Sequence, residues 1–159
     1  MTFVLKQSFL RYVIFSVAIC VFCGSVIAQI ALHKIPCPLC LITRYLFLAI
    51  AICSLFMRRV RVMCPFICFL TVSFALYHLG VENHWWQAPR GCVVELPTLQ
   101  ALNKAAAIPN NIAYCDRVNW KIFGISSTLW SFVAAMFVFW ISSISYVTDC
   151  LIRRIGDDD

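Results

Sequence analysis

Residues 12–32 read YVIFSVAICVFCGSVIAQIAL, a run that no charge interrupts. At 1.5 Å of rise per residue, such a run crosses ~30 Å of hydrocarbon as one helix. A helix satisfies its own backbone N–H and C=O groups, which lipid cannot do. Working outward from it, three more apolar runs occupy 41–57, 62–79 and 122–147. Arg44 lies one turn inside the second, which is the shortest and is expected to reach back to Pro38. The expected fold class is therefore an all-α integral membrane protein. Its architecture is a four-helix transmembrane bundle, one domain over 1–159, with outer loops at 33–40 and 80–121.

Composition points the same way. The chain has 159 residues, 62% apolar and 13% charged, with a mean hydropathy of +0.86. Soluble domains are ~45–50% apolar and ~25% charged, so a water-soluble globule is excluded. Disorder is excluded with it, because disordered chains are poor in apolar residues.

Thirteen Lys and Arg against seven Asp and Glu give +6. The basic residues flank apolar runs and form no stripe with interleaved aromatics. The lipid bilayer is thus the expected partner, and nucleic acid is not. Lys6 and Arg11, then Arg58, Arg59 and Arg61, then Arg153 and Arg154 all fall on one side of four spans. That side is the cytoplasm by the positive-inside rule, so both termini are expected there. Arg90, Lys104, Arg117 and Lys121 lie in the long loop and weigh less. A cleaved signal peptide ending near Val26-Ile27-Ala28 is the alternative for the first run, but its apolar stretch is too long for a usual signal core. Asp157–Asp159 reads as a solvated tail. Within the long loop, Leu99, Leu102 and Ala106 have helical spacing over 97–107, which fits a short surface helix or a plain turn.

Ten cysteines is heavy usage. Cys37, Cys40, Cys92 and Cys115 fall in the two outer loops, on the side where disulfides persist. Four cysteines allow three pairings. Cys37-Pro38-Leu39-Cys40 has the spacing of a small reducible ring. Pro38 suits the first turn of helix 2, because it has no N–H to leave unpaired. Cys40 then sits in that turn, where the helix dipole and Arg44, one turn on, favour a thiolate. A cation at that depth is costly and needs a reason. Two other readings stay open: Arg44 snorkels to the headgroups, or the loop cysteines bind zinc.

The remaining cysteines read as packing residues. Cys20 and Cys23 share the Cys-x-x-Cys spacing but lie mid-membrane, and Cys64 and Cys68 share a face of helix 3. Cys53 and Cys150 belong to helices 2 and 4. His33, His78 and His84 read as interfacial or packed histidines. Trp85, Trp86, Trp120 and Trp130 read as interface anchors.

Together these residues resemble the disulfide bond formation protein B (DsbB) family. The resemblance rests on four helices, Cys-Pro-Leu-Cys at the outer start of helix 2 and Arg44 four residues later. A second cysteine pair in the long loop, Gln29 eight residues before Cys37, and Trp120, Gly124 and Trp130 after Cys115 extend it. It covers roughly Gln29 to Trp130. Thr128 departs from it, standing where the family often has proline.

The resemblance implies a disulfide:quinone oxidoreductase of the bacterial inner membrane. It would reoxidise a periplasmic DsbA-like thiol oxidase and pass electrons to ubiquinone or menaquinone. Cys92 would be attacked by the partner, Cys115 would be its disulfide mate and exchange with Cys37, and Cys40 would meet the quinone. Arg44 would hold the quinone site and Gln29 would line it. Exchange with a protein partner calls for an exposed, mobile disulfide, which a long loop can present. The competing reading is a non-catalytic membrane protein whose outer loops carry structural disulfides or a metal.

Overall fold

The computed structural model describes residues 2–33, 36–56, 63–89, 92, 115, 118 and 121–157, with the backbone alone for 2–8, 152, 153 and 155–157. Four helices occur among them. They are α1 (Thr2–Leu32), α2 (Pro38–Leu55), α3 (Met63–Glu82) and α4 (Ser127–Asp157). All four are long and apolar enough to cross a membrane, over Phe9–Leu32, Pro38–Leu55, Met63–Glu82 and Ser127–Leu151.

The boundaries have local causes. Helix α2 begins at Pro38, as the missing proline N–H allows, and Cys37 is its N-cap in an extended conformation. Helix α1 ends at His33, whose φ of 49° is the left-handed stop seen after many helices. The run at 122–147 does not open as helix. Lys121–Ile122 (β1) and Ile125–Ser126 (β2) pair antiparallel instead. Phe123 and Gly124, at φ 52° and 80°, form the two-residue turn between them. Trp130 ties this hairpin to α4 by donating its indole N–H to the Ile122 carbonyl at 3.3 Å. At the far end α4 runs on to Asp157, so that aspartate is helical rather than tail.

The helices close into a ring: α1 packs on α2, α2 on α3, α3 on α4, and α4 on α1. In lipid, apolar burial does not drive helices together, so close packing must. Small residues at the contacts permit it. Ala18, Ala51, Ala75 and Ala135 are all buried in the central cluster with Ile14, Phe47, Ile50 and Val138. Buried hydroxyls bond back to their own helix: Thr43 to Leu39 O at 3.0 Å, Ser54 to Ala51 O at 2.7 Å and Thr71 to Ile67 O at 2.8 Å. This spares each the cost of an unpaired polar group in hydrocarbon. Large apolar side chains such as Ile27, Tyr45, Ile52, Phe66 and Trp140 face outward, as lipid contact requires.

Cys53, Cys64 and Cys68 lie buried in the central cluster. Cys20, Cys23 and Cys150 are exposed on the bundle's outer surface. The short helix considered over 97–107, the basic turn at Arg58, Arg59 and Arg61, and Trp120 lie outside the described residues.

Candidate active site

A second buried cluster gathers where α2 starts and α3 ends. It holds Cys37, Leu39, Val81, Cys92 and Cys115. All four cysteines singled out from the loops meet there. Cys92 and Cys115 form a disulfide, with Cα atoms 5.3 Å apart.

The chain returns to this cluster through a tight aromatic turn after α3. Trp85 donates its backbone N–H to the Gly80 carbonyl at 2.8 Å. That bond lays the Trp86 ring over Gly80, where any Cβ would overlap it. Trp86 also stacks on Tyr77, with ring centroids 5.8 Å apart. The backbone N–H of Cys92 then bonds to the Pro89 carbonyl at 3.0 Å. Trp86 thus serves as a clamp more than an interface anchor.

The expected exposed, mobile disulfide is not what the structure has. Cys92 is 4% exposed and Cys115 fully buried. The physical reason is that sulfur is apolar and Leu39 and Val81 offer it an apolar seat. The outcome is proximity: the Cys115 and Cys37 sulfurs and the His78 ring nitrogen all lie within 4.8 Å of one another.

Cys37 and Cys40 are free thiols whose sulfurs lie 2.8 Å apart and share a hydrogen bond. Helix geometry sets this up. As N-cap, the Cys37 sulfur accepts the backbone N–H of Cys40 at 3.3 Å. Cys37 precedes the membrane span, and its thiol is held down from the usual 9.0 to about 5. The Cys40 thiol hydrogen bond is the main cause; burial opposes it, and the His78 imidazole adds to it by hydrogen bonding and charge.

His78 is the site residue that reading the sequence missed. It is buried near the end of α3, with Nε2 3.7 Å from the Cys37 sulfur and 3.9 Å from the Cys40 sulfur. It is therefore more than a packed histidine. The available signal was depth: His78 lies at the end of the apolar run 62–79, one turn before α3 ends, level with the start of α2, where Cys37 and Cys40 sit.

Arg44 turns inward. Its guanidinium donates to Gln29 Oε1 at 2.6 Å and to the Ser25 carbonyl at 3.1 Å, both on α1. A snorkelling arginine would point to the headgroups instead. Its Nε is buried with no hydrogen-bond partner. Arg44, Gln29, Cys40 and His78 line one cleft, of about 810 Å³ including its open mouth, with Ser25, Thr128 and Ser131. Mostly apolar walls with a few convergent polar groups are what a small planar ligand needs. The orphaned donor calls for an acceptor such as a carbonyl oxygen. The residues present therefore fit a quinone headgroup.

Comparison with known proteins gives a family. No curated protein and no solved structure matches the chain. The family described as Disulfide bond formation protein DsbB matches over residues 7–144. That match reaches into all four helices and includes both cysteine pairs, so the chain belongs to the DsbB family of membrane disulfide oxidoreductases.

Proposed function

We propose that this protein is a disulfide:quinone oxidoreductase that reoxidises a periplasmic DsbA-like thiol oxidase. The observation that carries the reading is the seat of the Cys92–Cys115 disulfide, with Cys115 beside Cys37 and Cys40 beside Arg44. Each link between a water-facing partner and a membrane-buried acceptor is then one sulfur away from the next.

The relay conserves electrons as follows. A partner thiolate attacks Cys92, the Cys92–Cys115 bond breaks, and Cys115 leaves as a thiolate. The partner's second thiolate then forms the partner's own disulfide and expels Cys92, leaving two electrons on the loop pair. With Cys37–Cys40 oxidised, Cys115 attacks Cys37 and Cys40 leaves as a thiolate beside Arg44. Cys92 next attacks Cys115, re-forming the loop disulfide and expelling Cys37. The low pKa of Cys37 makes it a good leaving group in that step. A bound ubiquinone or menaquinone supplies the final acceptor, taking two electrons and two protons. Arg44, fixed by Gln29 and with a buried Nε left unpaired, would hold that acceptor, and Cys37–Cys40 would be restored as a disulfide. Because the loop disulfide is buried, attack by a partner requires the segment carrying Cys92 to lift outward.

The orientation belongs to the same proposal: inner membrane, termini cytoplasmic, and the Cys37 end of the bundle periplasmic. The test is purified protein with quinone and a reduced DsbA-like partner. The expected result is quinone reduction that stops in Cys40→Ser and Cys92→Ser. Undiminished rates in both variants would contradict the relay and favour structural disulfides.

A further inference from the structure

Three ligand-type atoms on three separate segments converge at the Cys37 end of the bundle: Cys37 Sγ, His78 Nε2 and Cys115 Sγ, all buried and within 4.8 Å of one another. Cys40 Sγ stands next to them, 2.8 Å from Cys37 and 3.9 Å from His78. Around tetrahedral zinc, with Zn–S ~2.3 Å and Zn–N ~2.05 Å, sulfur and nitrogen ligands sit roughly 3.6 Å apart and two sulfurs roughly 3.8 Å apart. The observed Cys37–His78 separation of 3.7 Å already has that value, and Cys40–His78 is within a few tenths of it. The two vicinal sulfurs must part by about 1 Å, and Cys40 must draw in toward Cys115, since the three atoms already within 4.8 Å of one another are those of Cys37, His78 and Cys115. A relay needs its sulfurs adjacent in sequence of use; it does not need an imidazole equidistant from two of them. Three thiolates and one imidazole are the donor set of a closed structural zinc site.

We propose that the fully reduced protein binds one zinc ion through Cys37, His78, Cys115 and Cys40, and that this arrests turnover. The site is gated by redox state. While Cys115 is bonded to Cys92 its sulfur carries no charge to donate. Reduction of the loop pair frees it as a thiolate. Binding displaces the proton of any of the three sulfurs still held as a thiol and moves no electrons, since zinc is redox-inert. The reduced protein accumulates when the electron acceptor is scarce, so zinc holds the oxidant-generating site shut under that condition. The binding rests on geometry alone, whereas the arrest rests on the relay reading above.

The test is a titration of the full-length protein in detergent, fully reduced without oxygen, with Zn²⁺ against a chromophoric chelator. One zinc per reduced chain is expected, and none at the same concentration in the oxidised protein, which shares every residue and controls for folding. Cys115→Ser and His78→Ala should each weaken binding on the order of 100-fold or more, beyond the 10- to 100-fold typical of lost outer-shell partners. Cys64→Ala, buried at the other end of α3, should change nothing. Replacing zinc by Co²⁺ should give thiolate-to-metal absorption in the wild type that falls in Cys115→Ser. No zinc uptake by the reduced wild type, equal uptake by the oxidised form, or wild-type affinity in Cys115→Ser would each overturn the site. Preincubation with Zn²⁺ should stop quinone reduction until chelator is added; zinc that binds while turnover continues would overturn the arrest. Zinc-free protein that reduces no quinone would overturn the relay, and the arrest with it, while the titration still decides the site.

Discussion

At the Cys37 end of α2 and α3, cysteine sulfurs meet an imidazole, a helix N-terminal amide and, one turn along, a guanidinium. At the opposite end of the same two helices, Cys53, Cys64 and Cys68 are as deeply buried, among Ile14, Ile50 and Val138. Both ends are dense in cysteine, and cysteine alone does not separate them. What separates them is the imidazole and the guanidinium at the Cys37 end; at the other end the sulfurs have one another and the Ser142 hydroxyl as polar neighbours. A sulfur in an apolar seat is a small hydrophobe, and the same sulfur beside a donor or a cation is a nucleophile. Cys20 and Cys23 sharpen the point, because they repeat the Cys-x-x-Cys spacing on a surface that faces lipid.

The largest effect expected from breaking this contrast is at Arg44. If Arg44 makes the Cys37 end a quinone site, Arg44→Leu should raise the apparent KM for quinone. Losing a hydrogen bond to a charged group costs ~1.5–3 kcal/mol, roughly 10- to 150-fold. Arg44→Lys keeps the charge but not the planar fork of donors, and should fall between that variant and the wild type. Quinone-dependent turnover across quinone concentrations checks both. An unchanged KM in Arg44→Leu would leave the two ends of the bundle chemically alike in this respect.

A smaller effect is expected on the acidity of Cys37, followed by its alkylation rate against pH in chelator-treated protein. A thiolate persists above its pKa and is lost as pH falls through it. In the wild type, alkylation should therefore fade only as pH drops through about 5. Cys40→Ala removes the principal stabilising hydrogen bond and should move that fade upward the most. His78→Ala should move it upward by less, since its contributions rank lower. Fade points in both variants equal to the wild type would contradict the assigned causes.

The smallest effect belongs to the other end. Cys53→Ala, Cys68→Ala and Cys20→Ser should leave turnover within about twofold of the wild type, the scale of substitutions that touch no special feature. A larger loss with folding intact would mean that the apolar seat hides chemistry.

The four spans were legible in the sequence because lipid demands long apolar runs with self-satisfied backbones, and α2 starts at Pro38 because proline has no N–H to pair. The beginning of α4 was not, because Ile122 and Ile125 are as apolar as the helix that follows; the turn at Phe123 and Gly124 needs positive φ, which hydropathy does not report. Cys37, Cys40 and Arg44 were found through spacing along one helix. Gln29 was found through resemblance alone, and its bond to Arg44 crosses two helices. His78 escaped for a related reason: its role depends on how α3 is rotated and how deep it sits against α2, and a single helix's sequence carries neither. The burial of Cys92 and Cys115 was hidden too, since loop length suggests exposure while the Trp86 clamp over Gly80 folds the turn back.

The central claim is that the two cysteine pairs exchange directly, Cys115 with Cys37. It is tested most directly in the double variant Cys40→Ser, Cys92→Ser, which leaves those two sulfurs without their mates. Mild oxidation followed by digestion and mass spectrometry of linked peptides reads the outcome. The account predicts a Cys37–Cys115 disulfide within single chains, formed in high yield because the sulfurs already lie within 4.8 Å. Two unlinked cysteines that still accept an alkylating reagent would contradict it.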